Sequence, residues 1–519
     1  MSPASDITAE RSNAPTAARS LPAHVEVAIV GAGFGGLCAA IRLKEQGHED
    51  FVVLERAADV GGTWQLNTYP GCQCDVPSNL YSFSFAPNPD WTHSYPEQPQ
   101  IQRYLRDCAE RFGVIERTHL SCEVYGAAWD PGARRWQVDT SQGVLSAKAL
   151  VAAAGLLSEP ATPQVPGLDA FDGTVFHTAR WNHEHDLTGE RVALIGTGAT
   201  AIQVGPAIHP KVARLDVYQR TPPWIIPHPD RGIPPALQTL YRRVPAVQLL
   251  ARQAVYALRE GIAAGMAHDP RLLRLQDLTA RMQLRLQVRD PAFRAKLTPD
   301  YTIGCKRILL SNDWYPMLTD GRTALVTDPI AEVRGRSIVT ADGTERGIDS
   351  IILATGFKPT DPEIAHRLRR ADGRTLAEVW KGSPEAFVGT TMKRFPNLFL
   401  LYGPNTNLGH SSIVYMLEAQ VHYLLQALAL VRDPAVASID VRPEVQQAYN
   451  EDLGRRLAPT VWSTGGCSSW YLDANGRNAT MWPDFTFRFR QLVDRFQPEH
   501  YEIEPAAPQT VATAAGALA

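Results

Sequence analysis

Apolar residues along this chain fall into short runs that end in glycine-rich turns. Val27–Val30 is one such run; Gly31-Ala32-Gly33-Phe34-Gly35-Gly36 comes directly after it, and helical spacing then continues through Leu43. A second run, Phe51–Leu54, ends in Glu55. Short apolar runs bounded by turn signals read as buried strands, so the order is strand, glycine turn, helix, strand. The order recurs. Arg191–Ile195 reads as a strand, Gly196-Thr197-Gly198-Ala199-Thr200-Ala201 as a turn and helix start, and Leu215–Tyr218 as the next strand, ending in Gln219-Arg220-Thr221. Between residues 233 and 297 Leu, Ala, Arg and Gln dominate and the spacing turns helical, as in Leu237, Leu240, Tyr241 and in Leu275, Leu278, Met282, Leu286. Strand signals resume at Ala324–Val326, Ser337–Thr340 and Ser350–Leu353, and Asn397–Leu401 leads into Gly403-Pro404-Asn405.

This pattern predicts an α/β fold with two Rossmann-like dinucleotide-binding domains and a helical insertion in the second. The expected division is a tail over 1–22, a discontinuous first domain over 23–160 and 385–504, a second domain over 161–232 and 298–384, the insertion over 233–297, and a tail over 505–519.

The two turns differ in the residue that ends the next strand. The glycines allow a tight turn and close approach of backbone to a pyrophosphate, which the helix N-terminus then faces. In the first unit Glu55 lies 24 residues after Gly31. A carboxylate there accepts ribose hydroxyls and repels a 2′-phosphate, so FAD or NAD fits and NADP does not. In the second unit Arg220 lies 24 residues after Gly196, with Thr221 beside it and Ala201 in the third glycine position. A cation there suits the 2′-phosphate of NADPH. An acid-marked unit beside a base-marked one predicts FAD in the first and NADPH in the second.

Composition narrows the field. The 519 residues carry a net charge of −3 and no basic block, which argues against nucleic acid as a partner. The seven cysteines contain no CxxC pair. Neither a zinc site nor a disulfide framework is expected, and no other metal site; reduced cysteines suit a cytoplasmic protein. The first 22 residues lack an apolar core and do not read as a signal peptide. The longest apolar segment, near Val244–Ala267, is interrupted by Arg252, Arg259 and Glu260, so no transmembrane segment is expected.

Three further motifs carry a family resemblance. Phe171-Asp172-Gly173-Thr174-Val175-Phe176-His177-Thr178-Ala179-Arg180-Trp181 matches FxGxxxHxxxW. Gly61-Gly62-Thr63-Trp64, Tyr69-Pro70-Gly71 and Asp75 fit GGxWxxxxYPGxxxD, and Cys305-Lys306-Arg307 supplies a Lys-Arg pair after the insertion. Over about residues 24–500 the chain resembles the type I Baeyer–Villiger monooxygenases. It departs from their pattern at Asn182, usually Pro or Asp, and at Gln73, often Arg.

The resemblance implies an enzyme that takes a small-molecule ketone and O2, forms a flavin C4a-peroxide at the expense of NADPH, and gives an ester or lactone, with sulfoxidation as a side activity. Arg307 would stabilise the peroxide anion and Asp75 would hold Arg307. Gly31, Gly33, Phe34, Gly35, Gly36, Glu55, Gly62, Thr63, Trp64, Asp75 and Tyr81 would bind FAD. Gly196, Thr197, Gly198, Ala199, Thr200, Ala201, Arg220, Thr221 and Lys306 would bind NADPH. Phe171, Gly173, His177 and Trp181 would couple nucleotide binding to domain movement, with His177 conformational in role. Ala354-Thr355-Gly356-Phe357 and Gly155 resemble further nucleotide turns, Gly403–Ser411 a flavin-side loop, and Gly465-Gly466-Cys467 with Trp470-Tyr471 a substrate-pocket segment. The expected assembly is a monomer or weak homodimer. Three alternatives stand beside this reading. A flavin-containing N- or S-oxygenating monooxygenase shares part of the first motif. A pyridine-nucleotide disulfide reductase would need a CxxxxC pair, which Cys72 and Cys74 do not form. A non-catalytic member of the fold would not consume NADPH.

Overall fold

The computed structural model describes residues 20–506. Two sheets carry it. In the first, His24–Val30 lies parallel to Phe51–Leu54 on one side and to Gly143–Ala152 on the other. The strands Val124–Asp130, Arg135–Thr140 and Gly143–Ala152 form an antiparallel meander. Leu398–Leu400 pairs with the end of Gly143–Ala152, and Leu368–Arg369 pairs with Val124–Asp130. Two segments far along the chain thus return to the first sheet. Its strands are apolar on both faces because helices cover one side and the meander the other.

The second sheet is all parallel, in the order Thr323–Val326, Arg214–Tyr218, Arg191–Ile195, Ser350–Leu353, Thr174–His177. Ser337–Thr340 is a strand, but it belongs to a separate antiparallel trio with Ile330–Arg334 and Glu345–Gly347. Residues 235–296 are mainly helical: Pro235–Arg243, Pro245–Ala263, Arg274–Gln287 and Pro291–Lys296.

Two expectations need correction. Cys305 and Cys467 form a disulfide, 162 residues apart in sequence. Nothing in their spacing signals it, because the pairing is made by the fold. The longest apolar helix is Ile413–Val431, not the Val244–Ala267 region. It is long and apolar enough to cross a membrane, yet 61% of its apolar window is buried inside the fold. It packs on the helix Phe34–Glu45 under the first sheet, so it is a core helix, with Glu418, His422 and Gln426 along its less buried side.

Candidate active site

Both glycine turns open into one cavity of about 1230 Å3. At the first, Gly31 has φ +100°, and a Cβ there would stand 2.6 Å from the Ala153 carbonyl oxygen. A Cβ on Gly36 would meet the Gly31 carbonyl oxygen at 1.8 Å. The turn therefore closes only with glycine at both positions. Gly62 has φ +56° and lies against Gly33, where its Cβ would be 2.9 Å from the Gly33 Cα. This brings the GGxW segment onto the N-terminus of the helix Phe34–Glu45. Glu55 is buried. Its carboxylate accepts from the Ala32 N–H at 2.7 Å and the Ala57 N–H at 2.8 Å. Burial raises its pKa and these N–H groups oppose the rise.

At the second turn Gly196 has φ +117°, with the Ala354 carbonyl oxygen 2.4 Å from where a Cβ would be. The Thr197 hydroxyl donates to the Thr221 carbonyl at 3.0 Å, joining the turn to the end of the next strand. Arg220, Thr221 and Lys306 line the same wall. Burial lowers the Lys306 pKa, and the nearby Arg220 charge lowers it further. Two cations on one wall, Arg220 exposed and Lys306 half-buried, make an anion slot.

Between the turns stands Arg307. Its Nε and Nη2 both donate to the Asp75 carboxylate, the second at 2.5 Å, and Nη1 donates to the Leu408 carbonyl at 3.3 Å. Burial alone would raise the Asp75 pKa; Arg307, and Arg259 beyond it, bring it below the ordinary carboxylate value. Burial alone would lower that of Arg307, and Asp75 reverses this. The pair is therefore charged across the neutral range. A bidentate pair fixes the guanidinium plane as well as its position. On the wall beside the first turn the Trp64 indole donates to the Tyr81 hydroxyl at 3.0 Å, and the Tyr81 ring meets Phe34 edge-on at 5.0 Å. The Ser411 hydroxyl, buried at this wall, has no hydrogen-bond partner among the described residues. Side chains and turns of this kind fit a flavin dinucleotide and a 2′-phosphorylated nicotinamide dinucleotide.

Of the residues singled out in the sequence, the cavity wall brings together Gly31, Gly33, Phe34, Gly35, Glu55, Gly62, Thr63, Trp64, Asp75 and Tyr81 with Gly196–Thr200, Arg220, Thr221, Lys306 and Arg307. Gly155, Ala354–Phe357 and Trp470 also reach it. Gly36 and Ala201 lie beneath the turns. Phe171, Gly173, His177 and Trp181 do not line it. Phe171 and Gly173 come just before the edge strand Thr174–His177 of the second sheet, His177 ends it and Trp181 follows it. A Cβ on Gly173 would be 2.3 Å from the Asp349 carbonyl oxygen, and Trp181 packs edge-on against Phe176 at 5.0 Å. The His177 Nδ1 accepts from the Ala179 N–H at 3.1 Å. Burial pushes the His177 pKa down to about 4, so the ring is neutral at neutral pH. His410 points away from the cavity, to Glu260 at 3.3 Å.

Gln203, Asp230 and Arg259 carry no sequence signal, and they are the partners of the motif residues Tyr69, Gly71 and Asp75 and of Gln73. Gly71, φ +79°, lets the Tyr69-Pro70-Gly71 turn press on the helix Ala201–Ile208 of the second unit; a Cβ there would be 2.8 Å from the Gln203 carbonyl oxygen. Gln203 accepts from the Tyr69 hydroxyl at 2.9 Å and donates to the Gln73 carbonyl at 2.9 Å. Gln73 donates to Asp230 at 2.9 Å. Arg259, from the helix Pro245–Ala263, donates to the Asp75 carbonyl at 3.3 Å and the Tyr95 hydroxyl at 3.1 Å. Such contacts are made across the fold, and no local motif announces them.

Cys72 and Cys74 are buried, and burial raises both thiols, Cys72 to about 12. Thiols held protonated are poor redox nucleophiles, which fits this pair not being a redox dithiol.

Residues 28–246 match the family described as pyridine nucleotide-disulphide oxidoreductase, which covers the turns of both units. A "Baeyer-Villiger monooxygenase" of Streptomyces coelicolor is 49% identical over 95% of this chain and 96% of its own. One of the same name from Pseudomonas aeruginosa is 48% identical over 94% of this chain and 92% of its own. The crystal structure of cyclohexanone monooxygenase from Rhodococcus sp. Phi1 bound to NADP+ superposes with a TM-score of 0.82 at 27% identity, covering 94% of this chain and all of that one. With its two nucleotide turns, its acid and base markers and these relatives, the chain belongs to the Baeyer–Villiger monooxygenases, FAD-dependent enzymes that consume NADPH.

Proposed function

We propose that Arg307, fixed by Asp75, is the oxygen-transfer centre of this enzyme, acting on a ketone and O2 to give an ester or lactone. The observation that carries the proposal is the bidentate Arg307–Asp75 pair on the wall of the cavity that both glycine turns share. FAD, reduced by NADPH, would supply the activation of O2, one atom of which enters the product while the other leaves as water. The protein's part is charge and position. The Arg307 cation stabilises negative charge on oxygen as it develops at the carbonyl. Asp75 keeps that cation protonated despite burial and prevents it from swinging into solvent. Leu408 anchors the third guanidinium nitrogen.

Glu55 and the Gly31–Gly36 turn would hold the flavin nucleotide, with Gly62, Thr63, Trp64 and Tyr81 at its wall. Gly196–Ala201 would hold the pyrophosphate of NADPH, and Arg220, Thr221 and Lys306 its 2′-phosphate. Phe171, Gly173, His177 and Trp181 act on the second sheet. Gly173 and Phe171 let its edge close, and neutral His177 ends its strand beside the Ala354–Gly356 turn. These four position the nucleotide domain and do not transfer protons to substrate. The protein works as a monomer or weak homodimer in the cytoplasm, where NADPH is regenerated. A panel of ketones and sulfides supplied with NADPH and isotopically labelled O2 tests this reading. One labelled oxygen per ester product is expected. Labelled sulfoxide with no ester would overturn it.

A further inference from the structure

The helix Arg274–Gln287 is mounted with its apolar stripe outward. At 3.6 residues per turn, Leu275, Leu278, Met282 and Leu286 fall along one side, and they are 70, 62, 55 and 73% exposed. Leu272, 58% exposed in the preceding turn, extends the stripe. The opposite side is the buried one: Ala280, Gln283 and Leu284 are 2, 6 and 4% exposed. Gln283 anchors it by donating to the Ser311 carbonyl at 2.6 Å. A surface helix ordinarily has the reverse arrangement, and five large exposed apolar side chains in a row mark an interaction surface. The stripe lines neither of the two cavities, so it is a ridge and not a ligand pocket.

Charge says what covers it. Residues 235–296 hold eleven Arg and Lys against four Asp and Glu, in a chain whose net charge is −3. Arg271, Arg274, Arg285 and Arg289 are exposed beside the stripe. None of them pairs with an acid among the described residues. A second copy docking through the same ridge would bring this arginine-rich face against another like it, with few carboxylates on either side to pair with. An anionic lipid surface satisfies both parts. The leucines enter the boundary of the acyl chains while the arginines reach headgroup phosphates.

We propose that the helix Arg274–Gln287 docks this enzyme peripherally on anionic bilayers. The test uses the full chain loaded with FAD, sedimented with vesicles of phosphatidylcholine alone or with one third phosphatidylglycerol. Binding to the anionic vesicles alone is expected, weakening as salt is raised. Replacing Leu275, Leu278, Met282 and Leu286 together by Gln, or separately Arg274→Gln with Arg285→Gln, is expected to reduce it at least about tenfold. FAD content and NADPH oxidation without lipid should stay as in the parent, which shows the variants fold. Should the fourfold variant lose its flavin, Leu278→Asp alone serves in its place. Equal sedimentation with both vesicle types, or none, overturns the proposal in the parent protein without any variant. So does a dimer in solution that the leucine replacements dissolve, which would make a second copy the occupant.

Discussion

At Gly31 and at Gly196 the chain makes the same turn twice, with φ near +100° and a neighbouring carbonyl that leaves no room for a Cβ. What differs is the charge at the end of the next strand. The first unit offers buried Glu55, already held by two backbone N–H groups. The second offers Arg220 with Lys306, two cations with no carboxylate bonded to either among the described residues. On the proposed reading one backbone solution serves two nucleotides, and the choice between them lies in a few side chains that the turn itself does not specify. Arg307 stands where the two halves meet.

The comparison can be broken most severely at the shared geometry. Gly31→Val puts a branched side chain at φ +100° against the Ala153 carbonyl. It should cost about 3 kcal/mol or more, and the purified protein should hold little or no flavin, read from its visible spectrum. Next comes the charge difference. Arg220→Ala with Lys306→Ala should lower kcat/KM for NADPH roughly 100-fold and leave NADH nearly unchanged; an equal loss with both coenzymes would contradict the 2′-phosphate role. A smaller effect is expected at the seam between units. Gly71→Ala, at φ +79° and 2.8 Å from the Gln203 carbonyl oxygen, should cost roughly 1–2 kcal/mol in thermal unfolding while flavin stays bound.

Two pH effects sharpen the picture further. Because the Lys306 pKa lies below its ordinary 10.5, its charge is lost earlier as pH rises. KM for NADPH should climb at alkaline pH, and Lys306→Ala should flatten that climb. The second concerns His177. Its folded pKa of about 4 lies under the ordinary 6.5, so between these values the unfolded chain binds the proton and the folded one does not. Stability should fall as pH drops through this window, and His177→Asn should flatten the profile.

The legibility of the sequence depends on where the determinants lie. The turns, Glu55 and Arg220 are local: each glycine motif leads to its strand and its charged residue within one βαβ unit. The Phe171–Trp181 motif is legible for the same reason, although its side chains support the second sheet and stay off the cavity. Contacts between units leave no such mark. Gly71 against Gln203, Arg259 behind Asp75 and the Cys305–Cys467 bond depend on segments brought together by folding. Periodicity also has a limit. The spacing of Leu275, Leu278, Met282 and Leu286 predicts a helix with one apolar side, and nothing in that spacing says the side faces outward. In Ile413–Val431 the polar side is narrow, Glu418, His422 and Gln426, and nothing in the composition says that the rest is covered by the fold.

The central claim, that Arg307 serves oxygen transfer and not flavin reduction, is tested most directly by separating the two steps in Arg307→Ala. Anaerobic bleaching of the flavin by NADPH is monitored first; ester formed from a ketone in air is measured second. Bleaching within a few-fold of the parent, with no detectable ester, is expected. Ester formation at the parental rate would contradict it.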